Sequence, residues 1–93
     1  MSEKNYRFRI LTGEGIFRED HIVSLIAPGE LGYFGVLADH APLVAACSAG
    51  RLEFRTPDNR KHHYRIGKGF LEVLKNQVTI FTETIAETET ASA

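Results

Sequence analysis

Apolar and polar residues alternate with a period of two in several parts of the chain. Near its start, Tyr6, Phe8 and Ile10 alternate with Arg7 and Arg9, which is typical of a strand with one buried face. Further short runs alternate or are rich in β-branched residues, at 21–27, 51–55, 63–66, 70–74 and 77–81. No convincing helical period extends over about ten residues or more. The pattern therefore predicts an all-β protein.

Turn-forming residues separate these runs. Residues 56–60 carry a Pro-Asp-Asn sequence, and the Lys-Asn pair at 75–76 suits a tight hairpin loop because Asn tolerates a positive φ. Glycines divide residues 28–35 into a tight loop or hairpin, and the two glycines of 67–69 predict a bulge or a sharp bend. Turn signals spaced by roughly ten residues predict a β-sandwich or barrel.

Length and composition predict one domain. The chain has 93 residues, of which 43% are hydrophobic, and this is enough for one modest core. The net charge of -1 does not favour binding to nucleic acid. We expect residues 1–86 to form the domain. Residues 87–93 are acidic and small, which predicts a flexible tail.

A single cysteine, Cys47, excludes an intramolecular disulfide and a zinc site built from several cysteines. The N-terminus has no apolar signal-peptide core. The longest apolar run, residues 41–47, is far shorter than the ~20 residues that span a bilayer. We therefore expect a soluble protein, which can still dock on a membrane complex.

The sequence offers few candidates for catalysis or for a cofactor. Cys47 with His40 and Asp39 could form a thiol nucleophile, but its apolar surroundings favour a buried packing role. His62 and His63 are adjacent, so on a strand they point to opposite faces and cannot easily share a metal. No glycine motif matches a phosphate loop. We predict no catalytic residue, no metal and no cofactor.

Basic residues are concentrated in residues 51–68. There they outnumber the acids Glu53 and Asp58, and they are Arg51, Arg55, Arg60, Lys61, Arg65 and Lys68. Two interpretations remain open for this basic strip. It is either a solvated strand face or an electrostatic patch for an acidic partner.

Residues 25–44, LIAPGELGYFGVLADHAPLV, closely resemble the N-terminal domain of the epsilon subunit of F-type ATP synthases, whose pattern is roughly APGxEGxFGVLxGHAPL. Further blocks resemble the family in the right order. These blocks are 10–17 at the opening strand and turn, 49–52 at an internal strand, 66–73 (IGKGFLEV) and 78–80. The resemblance covers residues 6–86.

The resemblance implies a flattened β-sandwich of about ten short strands at the foot of the rotary central stalk. It implies a non-catalytic rotor subunit that links the gamma subunit to the c-ring and couples proton transport to ATP synthesis. The protein would be monomeric when isolated. It would be a peripheral membrane protein on the cytoplasmic side of a bacterial inner membrane, or the equivalent in an organelle. It would also be a short form without the helical hairpin that follows in many members.

The resemblance also implies a partner-binding surface. The glycines of 29–35 would present Glu30, Leu31 and Tyr33 at the rim of the domain. Proline 42 would favour an extended Ala41 and so fix the direction of His40. Glu30, Leu31, Tyr33, His40, Ala41 and Pro42 are the predicted partner-binding residues. A different class of function, a small ligand-binding β-sandwich module, predicts a concave pocket with converging polar groups instead.

Overall fold

The computed structural model of the protein describes residues 4–88, and these residues form strands connected by turns and loops, with no helix among them. The strands are β1 (Tyr6–Thr12), β2 (Gly15–Ile22), β3 (Ser24–Gly29), β4 (Gly32–Leu37), β5 (Leu43–Cys47), β6 (Gly50–Arg55), β7 (Lys61–Ile66), β8 (Gly69–Leu74), β9 (Gln77–Thr82) and β10 (Ile85–Glu87). No helix long and apolar enough to cross a membrane occurs within residues 4–88.

The strands form one hydrogen-bonded sheet that curls over on itself. Its order is β10-β7-β6-β3-β5-β8-β9-β1-β2, and β4 pairs with β3. Neighbours are antiparallel except for β1 and β9, which are parallel. We call β4, β3, β6, β7 and β10 the first layer and the other strands the second layer. The ring of Phe8 in β1 lies 5.0 Å from that of Phe54 in β6, so the two layers face each other. The predicted β-sandwich is confirmed.

Alternating side chains from both layers fill the space between them. In β1, Tyr6, Phe8 and Ile10 are buried, as their alternation predicts. The fully buried side chains of the core are Phe8, Phe54, Ile10, Ile22, Leu25, Leu52, Ile66, Leu71, Ile80, Val36 and Val78. Removing this apolar surface from water is the main force that holds the layers together.

One predicted strand is divided in the structure. The run at 21–27 contributes its first residues to β2 and the rest to β3. Ile22 pairs with Tyr6 in the second layer, whereas Ser24 pairs with Arg55 in the first. The backbone N–H of Val23, between them, donates to the carbonyl of Arg55 at 2.8 Å. The chain therefore changes layers at Val23, which the pattern of residues 21–27 does not reveal.

The predicted turns agree with the structure. Lys75 and Asn76 have φ values of 50° and 59° and join β8 to β9 as a two-residue hairpin loop. Residues 67–69 carry the chain from β7 in the first layer to β8 in the second, which is the predicted sharp bend. Residues 28–35 span the hairpin between β3 and β4.

The last strand, β10, reaches one residue beyond the predicted domain boundary at residue 86. Its final residue, Glu87, pairs with Tyr64 of β7. The N–H of Thr88 still donates to the carbonyl of His63 at 3.2 Å. The remaining residues of the predicted tail, 89–93, lie outside the described part of the chain.

Candidate partner-binding surfaces

The hairpin between β3 and β4 ends in an exposed tip. Gly32 has a φ of 126°, a conformation that favours glycine, and so permits the reversal after Leu31. The Leu31 side chain is fully exposed at 104%. The tip is anchored to β5, because the N–H of Glu30 donates to the carbonyl of Ala46 at 3.2 Å. Glu30 and Leu31 thus project from a backbone that is held in place.

Tyr33 is also fixed although much of its side chain is exposed. Its hydroxyl accepts a hydrogen bond from the backbone N–H of Arg51 at 3.2 Å. A methyl group at Gly50 would lie 3.0 Å from that hydroxyl and 2.8 Å from Cβ of Pro28. The glycine therefore leaves room for the ring to lie down over the start of β6. Tyr33 as a whole is 61% exposed, and because its ring is already held in place, contact with a partner would cost little side-chain entropy.

The loop between β4 and β5 holds the other predicted binding residues. His40, Ala41 and Pro42 are all exposed. The ring of His40 donates from Nδ1 to the carbonyl of Ala41 at 2.7 Å, which turns the imidazole back onto its own loop. The loop is tied to the β8–β9 hairpin, since the N–H of Asp39 donates to the side chain of Asn76 at 2.8 Å.

The structure does not bring the six predicted residues into one cluster. Glu30, Leu31 and Tyr33 lie at the tip, beside Ala46 near the end of β5. The loop carrying His40 leads into the beginning of β5. This strand has 5 residues, so at a rise of about 3.3 Å per residue its two ends lie roughly 13 Å apart. The predicted surface therefore consists of two exposed groups at opposite ends of β5.

The outer face of the second layer carries an apolar row whose residues the sequence analysis did not select. Successive cross-strand partners follow one another across the outer face, namely Ala46, Phe70, Phe81, Leu11 and Ile16. Phe70 and Phe81 are 50% and 40% exposed, and their ring centroids lie 5.2 Å apart. A sequence signal exists, because apolar residues occupy both phases of the alternation in FLEVL and VTIF. We call these five residues the apolar row.

Gly69 shapes an open depression next to the apolar row. A methyl group at this position would lie 1.8 Å from the carbonyl oxygen of Phe81. The close approach lets β8 pack tightly on β9, and the depression is lined by Leu11, Phe70 and Phe81. Both this depression and the one at the hairpin tip are open to solvent. Neither has the enclosed shape that a ligand-binding module predicts.

The arrangement considered for a thiol nucleophile does not form. Cys47 is 3% exposed, and burial raises the pKa of its thiol, which disfavours the reactive thiolate. It ends β5, whereas His40 and Asp39 precede the start of that strand. His62 stacks on Phe54 at 5.1 Å and points inward. Within residues 4–88, no group of three potential metal ligands occurs.

Comparisons with known proteins agree with these features. Residues 5–88 match the family described as ATP synthase, Delta/Epsilon chain, beta-sandwich domain. The ATP synthase epsilon chain of Chlorobaculum tepidum is 36% identical over 85 residues, which cover 91% of this chain and 97% of that protein. The epsilon chain of Syntrophomonas wolfei is 36% identical over 84 residues, 90% of this chain but only 61% of that protein.

Solved structures show the same fold. A chain of the Euglena gracilis mitochondrial ATP synthase, solved as OSCP/F1/c-ring, superposes with a TM-score of 0.85 at 21% identity, covering 94% of this chain and 56% of that one. A chain of the Tetrahymena thermophila central stalk and c-ring has a TM-score of 0.78 at 11% identity, covering 94% and 69%. The protein therefore belongs to the delta/epsilon chain family of ATP synthases and is an epsilon-type chain.

Proposed function

We propose that the chain is a non-catalytic subunit of the central stalk of a proton-translocating F-type ATP synthase. In this role it links the gamma subunit to the c-ring and helps to couple ion flow to ATP synthesis. The family membership carries the proposal. The apolar row supports it, because an exposed strip of apolar side chains across five strands suits a permanent protein partner.

Each surface has a chemistry that suits a different partner. The apolar row offers Phe70, Phe81 and Ile16 to an apolar patch, which we assign to the gamma subunit. The tip offers the side chain of Glu30, whose backbone is held by β5, beside the fully exposed Leu31, and we assign this surface to the polar loops of the c-ring. A rotor contact has to resist shear, and both surfaces lie on backbone held by hydrogen bonds.

The same role gives the location and the state of the isolated chain. The protein is peripheral to the membrane, held there through the complex, on the cytoplasmic side of a bacterial inner membrane or its organelle equivalent. In this proposal the isolated chain is a monomer, and it assembles only with its partners in the complex. His40, Ala41 and Pro42 contact the rotor from the other end of β5.

Co-expression with the gamma subunit of the same synthase tests the assignment. The two chains are expected to co-elute in size-exclusion chromatography at micromolar concentration. The double substitution Phe70→Ser and Phe81→Ser is expected to abolish co-elution, whereas Leu74→Ser, on the same strand and 46% exposed, leaves it unchanged. Separate elution of the unmodified chain from gamma would overturn the proposal. Equal effects of the double and the control substitution would move the gamma contact away from the apolar row.

A further inference from the structure

The outer face of the first layer carries most of the basic strip. Three cross-strand pairs join β6 to β7 there: Arg51 with Arg65, Glu53 with His63, and Arg55 with Lys61. Their neighbours Leu52, Phe54 and Ile66 are buried on the inner face. We call Arg51, Arg55, Lys61 and Arg65 the cationic face.

The pair of Arg51 with Arg65 places like charges directly opposite each other. Such a pair destabilises a sheet unless a nearby carboxylate compensates the charge. The carboxylate of the next pair, Glu53, instead accepts a hydrogen bond from Nε2 of His63 at 2.8 Å. His63 is buried and Glu53 only partly exposed, so this pair is engaged within the sheet. Exposed Arg51, Lys61 and Arg65 form no ion pair with another residue of 4–88.

Apolar side chains border the cationic face on the same surface. Ile26 of β3 is the cross-strand partner of Glu53 and is 43% exposed. Leu37 of β4 lies one strand further, opposite Ser24, and is 65% exposed. The outer face of the first layer therefore has a cationic half on β6 and β7 and an apolar half on β3 and β4.

We propose that this face is the docking site of an acidic protein segment that also carries apolar side chains. Carboxylates of the segment neutralise Arg51, Lys61 and Arg65, and its apolar side chains cover Ile26 and Leu37. A protein segment fits better than a nucleic acid or a lipid headgroup, because phosphates would match the charges but leave the apolar half uncovered. The site is separate from the apolar row and does not depend on the proposed function.

The first test measures the repulsion inside the isolated protein. Arg65→Glu converts the pair with Arg51 into one of opposite charge, so the melting temperature is expected to rise, most clearly at low salt. Arg7→Glu, an exposed arginine on the second layer, is the matched control and is expected not to raise it. An equal or lower melting temperature for Arg65→Glu would show that the cations are already neutralised, and would overturn the proposal.

The second test measures binding. The probe is a short synthetic peptide that repeats Leu-Glu-Glu, titrated into the full chain and followed by NMR and calorimetry. Shifts are expected at Ile26, Leu37, Arg51 and Arg65, and the affinity is expected to fall with salt. The double substitution Arg51→Glu and Arg65→Glu is expected to weaken binding about tenfold. The control pair Arg7→Glu and Lys75→Glu makes the same change in net charge and is expected to leave binding unchanged.

Other probes separate the alternatives. A peptide of glutamate alone is expected to bind more weakly than the Leu-Glu-Glu peptide. Equal affinities would show that the apolar half of the face does not contribute to binding. Vesicles of phosphatidylglycerol serve as the lipid probe, with phosphatidylcholine vesicles as their control. Binding to the anionic vesicles without binding to the peptide would overturn the protein segment in favour of a membrane surface. Absence of binding to every probe would overturn the docking site itself.

Discussion

Two phenylalanine pairs with similar geometry have opposite surroundings. Phe8 and Phe54 lie between the layers with ring centroids 5.0 Å apart, and both are almost fully buried. Phe70 and Phe81 lie on the outer face of the second layer with centroids 5.2 Å apart, and each is about half exposed. Both pairs join neighbouring or facing strands through the same tilted ring contact.

The difference shows how the same side chains serve folding in one place and recognition in another. Burying a large apolar side chain contributes about 1.5–3 kcal/mol, and only the inner pair gains all of it in the isolated chain. The outer pair gains only part of this burial free energy in the isolated chain, and it gains the rest when a partner covers the two rings. Substitutions in the two pairs should therefore separate stability from assembly.

The largest effect is expected from Phe54→Ala, because this ring contacts Phe8, His62 and Tyr64 and is covered by the Arg18 guanidinium. The free energy of unfolding should fall by about 3–5 kcal/mol, since the cavity adds to the lost transfer energy. Urea unfolding followed by circular dichroism measures it. A fall below about 1 kcal/mol would mean that this pair is not the centre of the core.

The next effect is expected from Gly69→Ala, which tests the close approach of β8 and β9 beneath the outer pair. A methyl group 1.8 Å from the Phe81 carbonyl forces the strands apart, and overpacking of this kind costs about 2 kcal/mol. The matched control is Gly35→Ala, where the added methyl group lies 3.6 Å from the Leu25 carbonyl, an ordinary contact. Similar losses in both variants would indicate a general intolerance of these strands rather than a tight approach at Gly69.

A smaller effect on stability is expected from Phe70→Ser, the outer counterpart of Phe54→Ala. The side chain is already half exposed, so the free energy of unfolding should change by less than about 1 kcal/mol. The same urea titration measures it, alongside Phe54→Ala. A loss as large as that of the inner variant would erase the distinction between the two pairs.

The smallest effect is a pH dependence at the rim of the inner pair. Burial, assisted by the Arg18 guanidinium, lowers the pKa of His62, whose ring stacks on Phe54. The unfolded chain therefore binds this proton more readily than the folded one. Stability contributed by neutral His62 should be present above the ordinary histidine pKa of about 6.5 and be lost as the pH falls through it towards the lower folded pKa.

The difference between the unmodified chain and His62→Gln isolates this contribution, because every other residue is the same in both chains. Unfolding free energies measured at several pH values from neutral to mildly acidic should decline more steeply for the unmodified chain. Parallel curves would show that His62 does not contribute to the pH dependence.

Much of the fold could be predicted from local patterns. The alternation of Tyr6, Phe8 and Ile10 with polar residues predicts which side chains of β1 point inward, because the period of a strand depends only on neighbouring residues. The Lys-Asn turn at 75–76 was predictable for the same reason, since its positive φ values are a local property. The division of residues 21–27 between β2 and β3 was not, because it depends on which layer each half joins.

The candidate surfaces were predictable only in part. The choice of residues near the β3–β4 hairpin followed from the resemblance to the family, and the structure places them at the surface. Their separation into two groups depends on the run of β5 and was not foreseen. The apolar row requires knowledge of cross-strand register, because Ala46, Phe70 and Leu11 are far apart in the sequence and become neighbours only through pairing.

The parallel pairing of β1 with β9 has a consequence for how the chain reaches its native state. Phe8 is the cross-strand partner of Val78, so β1 can pair with β2 early but can pair with β9 only when almost the entire polypeptide is present. Bringing the two ends of so long a segment together costs conformational entropy before the stabilising contacts of the core have formed. This cost slows folding in proteins whose contacts lie far apart in the sequence. Pairing of β1 with β9 is thus expected late in folding, and a ribosome-bound chain that lacks β9 would leave β1 paired with β2 alone.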